Sequence, residues 1–299
     1  VSWAGSIDAN THGPRHIYAQ RYDDTSSPVG PEFQVDTVHV AENSTGAVPS
    51  VSSFSDGGFV ITWSTPWIDG AVRSDIYGQR FDANGTAEGS EFQVNTVTAN
   101  IQIGSAVQSL TGDGFVVAWA SYDSGYYIGA RLYDANGVAT GPEFRINEPN
   151  ASINGGSIGE PSISSLPDGG FVVTWTGGGN IFGQRFDAAG NEIGSDFIVN
   201  TSPAGNSTGQ TDSEITTLAD GSLVVAWTAG ESQDGYGHGV YAQHIDADGN
   251  TFIDPSTTDT ATVSITVDPV NDAPVATTWT ITVTEDTVAT GTLGGFDVD

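Results

Sequence analysis

The chain of 299 residues contains 37 acidic residues and seven basic ones, all of them Arg, so its formal charge is −30. A surface this negative repels nucleic acid and anionic membranes, and we expect the chain to bind neither. Cys is absent, which excludes thiol catalysis and cysteine metal sites. No run of 18 apolar residues suggests a membrane span, whereas the hydrophobic share of 37% supports a packed core.

One sequence pattern recurs along most of the chain. Each copy contains a short apolar stretch that ends in Trp, at Trp3, Trp63, Trp119, Trp175 and Trp227. A stretch such as Tyr-Gly-Gln-Arg-Phe-Asp at 77–82 follows, and then one such as Glu-Phe-Gln-Val-Asn-Thr at 91–96. Self-similarity with a period of 52 to 60 residues indicates a propeller or another repeat array.

Each full copy reads as four strands. In the copy around Trp175 these are residues 161–166, 170–175, 181–187 and 197–201, with a Gly-containing hairpin turn at 167–170. The second strand is apolar on both faces, which is typical of a covered sheet. We therefore predict an all-β fold, a β-propeller of about five four-stranded blades over residues 1–255 whose first blade is incomplete. A β-solenoid is the alternative, although its coils are usually shorter.

The pattern changes near residue 255. Residues 260–267 alternate as a half-exposed strand, 268–274 read as a linker, and a further strand region begins at Trp279. The stretches Val-Asn-Asp-Ala-Pro-Val at 270–275, Thr-Glu-Asp-Thr at 284–287 and Phe-Asp-Val-Asp at 296–299 resemble the cadherin-like and VCBS modules of large secreted bacterial proteins. The repeat itself resembles those of RTX-type adhesins and calcium-binding surface proteins. We predict a second region, 256–299, that holds the start of a cadherin-like β-sandwich.

This resemblance implies secretion, a cell-surface or matrix location, and calcium. The positions matching the shared Ca²⁺ ligands of cadherin-like junctions are Asp268, Asn271, Asp272, Glu285, Asp297 and Asp299. A second candidate comes from the residues themselves, because the hairpin Asp246, Asp248, Asn250 and Asp254 spaces hard oxygen ligands as a calcium loop does. Turn chemistry alone also explains that hairpin, since sister hairpins have the same shape with fewer carboxylates.

The loop between the second and third strands varies most among the copies. Variable loops on a constant scaffold are common binding sites. The candidate ligand-binding residues there are Trp67, Asp69, Tyr122, Tyr126, Tyr127, Asp234 and Tyr236. The Arg that recurs in the third strand, at Arg21, Arg80, Arg131 and Arg185, is interpreted instead as a structural residue that pairs with a neighbouring carboxylate or carbonyl.

The sequence favours a non-catalytic adhesion or structural module of a secreted or cell-surface protein, with surface or matrix glycans or proteins as partners. One alternative is a carbohydrate-binding, lectin-like propeller. Another is a filament subunit that self-associates by exchange of the strand at 260–267. An enzyme, most plausibly a glycosidase, is not expected, because it would need two convergent carboxylates at one end of the propeller axis.

Overall fold

The structure is a computed structural model. It describes residues 2–5, 16–37, 48–65, 73–123, 125–147, 158–201, 209–230, 239–250, 275–276 and 295–296. The chain divides into two compact units, Val1–Thr251 and Phe252–Asp299. Every element in the described ranges is a β-strand, so no helix there could span a membrane.

The first unit consists of five antiparallel sheets that follow one another along the chain. The first sheet contains β1 (Ser2–Gly5), β2 (His16–Tyr22) and β3 (Pro28–Gln34). The second contains β4 (Ser50–Ser53), β5 (Phe59–Ser64), β6 (Ile76–Phe81) and β7 (Ala87–Gln93). The third contains β8 (Gln102–Ser109), β9 (Phe115–Ser121), β10 (Tyr127–Tyr133) and β11 (Phe144–Arg145).

The fourth and fifth sheets repeat this plan. The fourth contains β12 (Ser162–Ser165), β13 (Phe171–Gly177), β14 (Asn180–Phe186) and β15 (Glu192–Ile198). The fifth contains β16 (Gln210–Thr217), β17 (Leu223–Ala229) and β18 (Gly239–Ile245). Strands that follow one another in sequence pair as neighbours in every sheet, which is the meander predicted from the repeat.

In the fourth sheet, the observed strand bounds agree with the predicted ones to within two residues, except at the fourth strand. In the fourth sheet this strand begins at Glu192, directly after the hairpin, rather than at Phe197. Its register shifts between Gly183 and Arg185 of the neighbouring strand, so a bulge interrupts the alternation that a sequence pattern relies on. The predicted turn at 167–170 is present, and Gly169 adopts the left-handed φ of +90° that this turn requires.

The apolar second strands form the core. All seven residues of Phe115–Ser121 are buried, and Trp63, Trp119 and Trp175 are each at most 1% exposed. The hydrophobic clusters join neighbouring sheets, because Val107 packs with Val60 of the sheet before it. In these three sheets the repeated Trp is therefore part of the buried core.

The first strands of successive sheets lie side by side. The Val107 amide donates to Ser50 Oγ at 3.2 Å, and the Ile215 amide donates to Ser162 Oγ at 3.3 Å. Small Ser side chains allow β4, β8, β12 and β16 to approach one another closely. Sheets that converge through their first strands are arranged as the blades of a β-propeller.

The second unit is described only at β19 (Val275–Ala276) and β20 (Gly295–Phe296), which pair antiparallel. The predicted strand at 260–267 lies outside the described residues. So do the six junction residues Asp268, Asn271, Asp272, Glu285, Asp297 and Asp299. The cadherin-like assignment of this region and its calcium ligands stay predictions.

Candidate functional site

A cavity of about 290 Å³ lies where the first strands of four sheets converge. Its walls come from the beginnings of β4 and β12 with the residues just before them, and from the middle of β8 and β16. The lining residues are Val48, Pro49, Ser50, Gly104, Ser105, Ala106, Val107, Glu160, Pro161, Ser162, Ile163, Asp212, Ser213, Glu214 and Ile215. In the third and fourth sheets, the end of the second strand lies at this same end, because Ser121 pairs with Gln102 and Gly177 pairs with Ile158.

The strand register shows which lining residues are equivalent. Val107, Ile163 and Ile215 each pair with the corresponding Val of the adjacent second strand. Counting back three residues from each places Gly104, Glu160 and Asp212 at one repeat position. Counting back one residue places Ala106, Ser162 and Glu214 at another. Three carboxylates therefore enter the cavity from two neighbouring sheets, while the third sheet contributes only small residues.

Glu160 lies directly against Gly104. A Cβ atom built on Gly104 would overlap the Glu160 side chain, and Gly104 has a left-handed φ of +63°. Although Glu160 is exposed to the cavity, partial desolvation raises its pKa above the ordinary value for Glu. The negative charges of Asp212 and Glu214 raise this pKa further, because they disfavour a third charge nearby.

The other two carboxylates are held by their own local structure. Asp212 has a positive φ of 55° and occupies a bulge between Thr211 and Glu214. The Thr211 hydroxyl donates to Asp212 Oδ2 at 3.0 Å. Glu214 Oε2 accepts a 2.9 Å hydrogen bond from the Ser162 hydroxyl of the neighbouring sheet. Asp212 and Glu214 are both exposed to solvent.

An aromatic pair stands beside the carboxylates. The Tyr122 hydroxyl donates to the Ile158 carbonyl at 2.9 Å, two residues before Glu160. Desolvation raises the pKa of Tyr122, and the charge of Glu160 adds to this effect. The Tyr126 ring meets the Tyr122 ring edge-on, with centroids 5.3 Å apart, and is 45% exposed. Tyr126 also has a left-handed φ of +43°, an uncommon conformation for an aromatic residue.

Tyr127, the third predicted aromatic, has a different environment. It is 7% exposed, and the Arg145 guanidinium lies 3.9 Å from its ring centroid. Tyr127 is thus part of the core of its sheet and is not available for ligand contact. The other predicted loop residues, Trp67, Asp69, Asp234 and Tyr236, lie outside the described residues.

The predicted calcium hairpin has the contacts of its sister turns. Asp246 Oδ1 accepts hydrogen bonds from the Asp248 and Asn250 amides at 2.9 and 2.8 Å. Asp82 Oδ1 accepts the same pair of bonds from the amides of Asn84 and Thr86. Asp254 lies outside the described residues, and no group of three or more His, Asp or Glu in the described ranges is arranged to hold a metal ion. Calcium at this hairpin stays a prediction.

The recurring Arg has the structural role that the sequence predicts. Arg21 donates to the Asn84 carbonyl of the next sheet at 3.0 Å, and Arg131 donates to the Val94 carbonyl at 3.0 Å. Arg185 bridges Asp168 at 2.7 Å and Asp248 of the next sheet at 2.5 Å. These contacts fasten neighbouring sheets together.

A carboxyl group whose pKa is raised by burial and by neighbouring carboxylates is suited to general acid–base chemistry. Sequence reasoning did not single out Glu160, Asp212 or Glu214. A comparison of the repeats position by position contains the signal, because Glu160 and Asp212 stand where the third copy has Gly104.

No family model and no curated protein matches the chain. Among solved structures, a protein of unknown function from Dyadobacter fermentans is similar at a TM-score of 0.52 and 12% identity, over 82% of this chain and 70% of its own. A polysaccharide lyase, an ulvan lyase, is similar at a TM-score of 0.51 and 9% identity, over 78% of this chain and 63% of its own. Identities this low show a shared fold.

An α-L-arabinanase from Penicillium chrysogenum is similar at a TM-score of 0.49 and 16% identity, over 69% of this chain. The chain spans 64% of that enzyme, less than two thirds of its length. The similar structures contradict the predictions of a non-catalytic adhesion module and of a chain without enzymatic activity. The solved structures found are largely enzymes that act on glycans, not adhesins.

Proposed function

We propose that the chain is a glycan-cleaving enzyme whose active site is the cavity between the first strands. The observation that carries this proposal is the environment of Glu160, whose pKa is raised by desolvation and by the charges of Asp212 and Glu214. Its location at the convergence of the sheets, beside an exposed Tyr, supports the proposal. The recurrence of glycan-active enzymes among the similar structures is consistent with it.

The reaction is hydrolysis of a glycosidic bond. Glu160 donates its proton to the bridging oxygen as the bond from that oxygen to the anomeric carbon breaks. Asp212 or Glu214 takes a proton from a water molecule whose oxygen bonds to the same carbon. Separate environments for the carboxyl groups allow one to act as acid and another as base at the same pH.

The setting of this enzyme follows from the repeat and the tail. We infer that five blades close around the cavity and that the protein acts outside the cell on a surface or matrix glycan. Calcium bound by the acidic hairpin or the junction residues would stabilise the fold, and it takes no part in the reaction proposed here.

The test is polysaccharide hydrolysis by the whole chain, measured as release of reducing ends from a panel of purified glycans. We expect activity in the wild type and a loss of about 10² to 10⁴-fold in kcat for Glu160→Gln. Glu192→Gln is the matched control, because Glu192 is exposed at the start of β15 on the outer strand of its sheet. Wild-type activity should fall as pH rises through the raised pKa of Glu160, since the proton donor is then ionised.

An equal rate for wild type and Glu160→Gln on every substrate would overturn the proposal, as would a panel on which the folded wild type releases nothing. Assays with EDTA and with added Ca²⁺ separate a stabilising metal from the reaction itself. We expect EDTA to change the melting temperature more than the kcat measured at low temperature.

A further inference from the structure

The described lining of the cavity contains three carboxylates. None of its lining residues in the described ranges is Arg, His or Lys. The recurring Arg side chains are engaged elsewhere, as where Arg185 bridges Asp168 and Asp248 and where Arg131 donates to the Val94 carbonyl. The formal charge of −30 adds a long-range negative field to this local one.

A polyanionic glycan in the cavity would therefore meet no basic side chain among the described lining residues to balance its charge. Each carboxylate or sulfate brought beside Asp212 and Glu214 is repelled, and it loses hydration that no basic side chain among the described lining residues replaces. It would also raise the pKa of Glu160 further, for the same reason that the two resident charges already raise it. The electrostatics of the cavity thus disfavour acidic sugars at the point of cleavage.

The aromatic pair offers the contact that a neutral sugar needs. Tyr126 is 45% exposed and lies against Tyr122, whose hydroxyl is fixed on the Ile158 carbonyl. The Tyr126 amide donates to the Asp123 carbonyl at 3.0 Å, which holds the residue in its left-handed conformation. A ring held open to solvent at a conformational cost is a feature of binding sites.

The fourth and fifth sheets lack the aromatic side chain of this pair. The positions equivalent to Tyr122 are Gly178 and Gly230, as the pairing of the first and second strands shows. An aromatic ring at this position is therefore specific to the third of these three sheets.

We propose that this site selects uncharged polysaccharides, with Tyr126 as the stacking platform beside the cavity and with Asp212 and Glu214 excluding acidic glycans. The inference rests on the proposed function, and it deepens that function by naming the substrate class. It distinguishes this chain from the similar ulvan lyase, whose structure holds a glucuronate- and sulfate-containing sugar chain.

The experiment uses one neutral polysaccharide that the wild type cleaves and the carboxymethylated form of the same polymer. Because carboxymethylation adds negative charge to the same polymer backbone, we expect kcat/KM on the carboxymethylated form to be about tenfold lower at low salt. The gap should narrow in 0.5 M NaCl, because salt screens charges that solvent reaches. Equal rates on both forms, or a preference for alginate or polygalacturonate, would overturn the inference while leaving the proposed function intact.

Failure of the proposed function has a different outcome, in which no polymer of either charge is cleaved. The platform is tested separately by Tyr126→Ala, for which we expect KM to rise about three- to tenfold with an unchanged pH profile. Tyr126→Phe should retain the wild-type KM. Tyr22→Ala is the matched control, since Tyr22 is 51% exposed at the far end of β2. A KM unchanged in Tyr126→Ala would contradict the role of the platform.

Discussion

Strands β8 and β16 have the same backbone and different side chains. Both bulge at the same repeat position, where Gly104 has a φ of +63° and Asp212 a φ of +55°. Both also begin with a Gln whose side chain accepts a hydrogen bond from the buried Trp of its sheet, at 3.1 and 2.6 Å. At the cavity, however, β8 presents Gly and Ala where β16 presents Asp and Glu.

In both strands the repeat determines the backbone conformation, whereas two side-chain positions per sheet determine the charge that the strand presents to the cavity. A left-handed conformation suits Gly and costs an Asp some strain. The fifth sheet accepts that strain at Asp212, and strain retained at a cavity is more often functional than accidental. The third sheet consequently shows the same backbone bulge without the two carboxylates, so its residues can be placed in the fifth sheet as a test.

The strongest test converts the fifth sheet into the third at these two positions. In Asp212→Gly with Glu214→Ala, the bulge should persist, because Gly and Ala already occupy it in β8. We expect kcat on the neutral polysaccharide to fall by about 10² to 10⁴-fold, since the base is removed and the pKa of Glu160 returns towards its ordinary value. Circular dichroism and the melting temperature check that the fold survives.

The reverse change supplies the matching control. Ala106→Glu adds a carboxylate on the β8 side without removing the existing ones, so activity should fall less than in the double variant. If the double variant loses its folded spectrum, the loss of rate cannot be assigned to chemistry. The single variants Asp212→Asn and Glu214→Gln, which keep the side-chain shape, then decide the question.

A second test acts on the contact between the sheets. Gly104→Ala adds a methyl group that would overlap Glu160, and it also places a Cβ on a left-handed residue. We expect a loss of about 1–3 kcal/mol in unfolding free energy. We also expect a shift in the pH at which activity falls, because Glu160 must move. Gly112→Ala is the control, since Gly112 has a similar φ of +84° but nothing near its added Cβ.

Much of this scaffold could be predicted from the sequence, because a Trp at the end of an apolar strand recurs and its packing is local. The carboxylates of the cavity could not be predicted in this way. Glu160, Asp212 and Glu214 are up to 54 residues apart and belong to no sequence motif. Only the alignment of strands around the cavity brings them together. Tyr127 is the opposite case, a residue that the sequence predicted to bind a ligand and that the structure places in the core. Its position next to a loop suggested binding, whereas Arg145 and the core cover its ring.

The fourth sheet departs from its neighbours at the buried Trp. Trp175 Nε1 is buried and finds no acceptor among the described residues, because Ile158 stands where the third sheet has Gln102. We expect Gln102→Ile to lower the unfolding free energy by about 1–3 kcal/mol, since it leaves the Trp119 Nε1–H unsatisfied. Denaturant unfolding of the whole chain measures this effect. Ile158→Gln should raise the unfolding free energy by less than this amount, because it exchanges apolar packing for one hydrogen bond.

Glu160 connects stability to pH. Its pKa is raised in the folded protein, so the folded state binds more protons than the unfolded state between the ordinary and the raised value. Stability is therefore lost as pH rises through this window. Glu160→Gln removes that loss. We therefore expect the variant to have a slightly higher melting temperature than the wild type at pH 7, and the same melting temperature well below the ordinary pKa of Glu. A melting temperature that falls at both pH values would contradict this account of the carboxyl.

The smallest effect is expected where the fifth sheet differs from the second at the outer hairpin. Arg185 pairs with the Asp248 carboxylate, whereas Arg21 donates to the carbonyl of Asn84 at the equivalent turn position. Asp248→Asn recreates the second-sheet hairpin, so Arg185 retains Asp168 and can take the carbonyl instead. We expect a loss of at most about 1 kcal/mol at low salt, vanishing in 1 M NaCl, because both partners of this pair reach solvent. A larger loss in thermal unfolding that persists in 1 M NaCl would contradict this account, because salt screens a charge pair that solvent reaches.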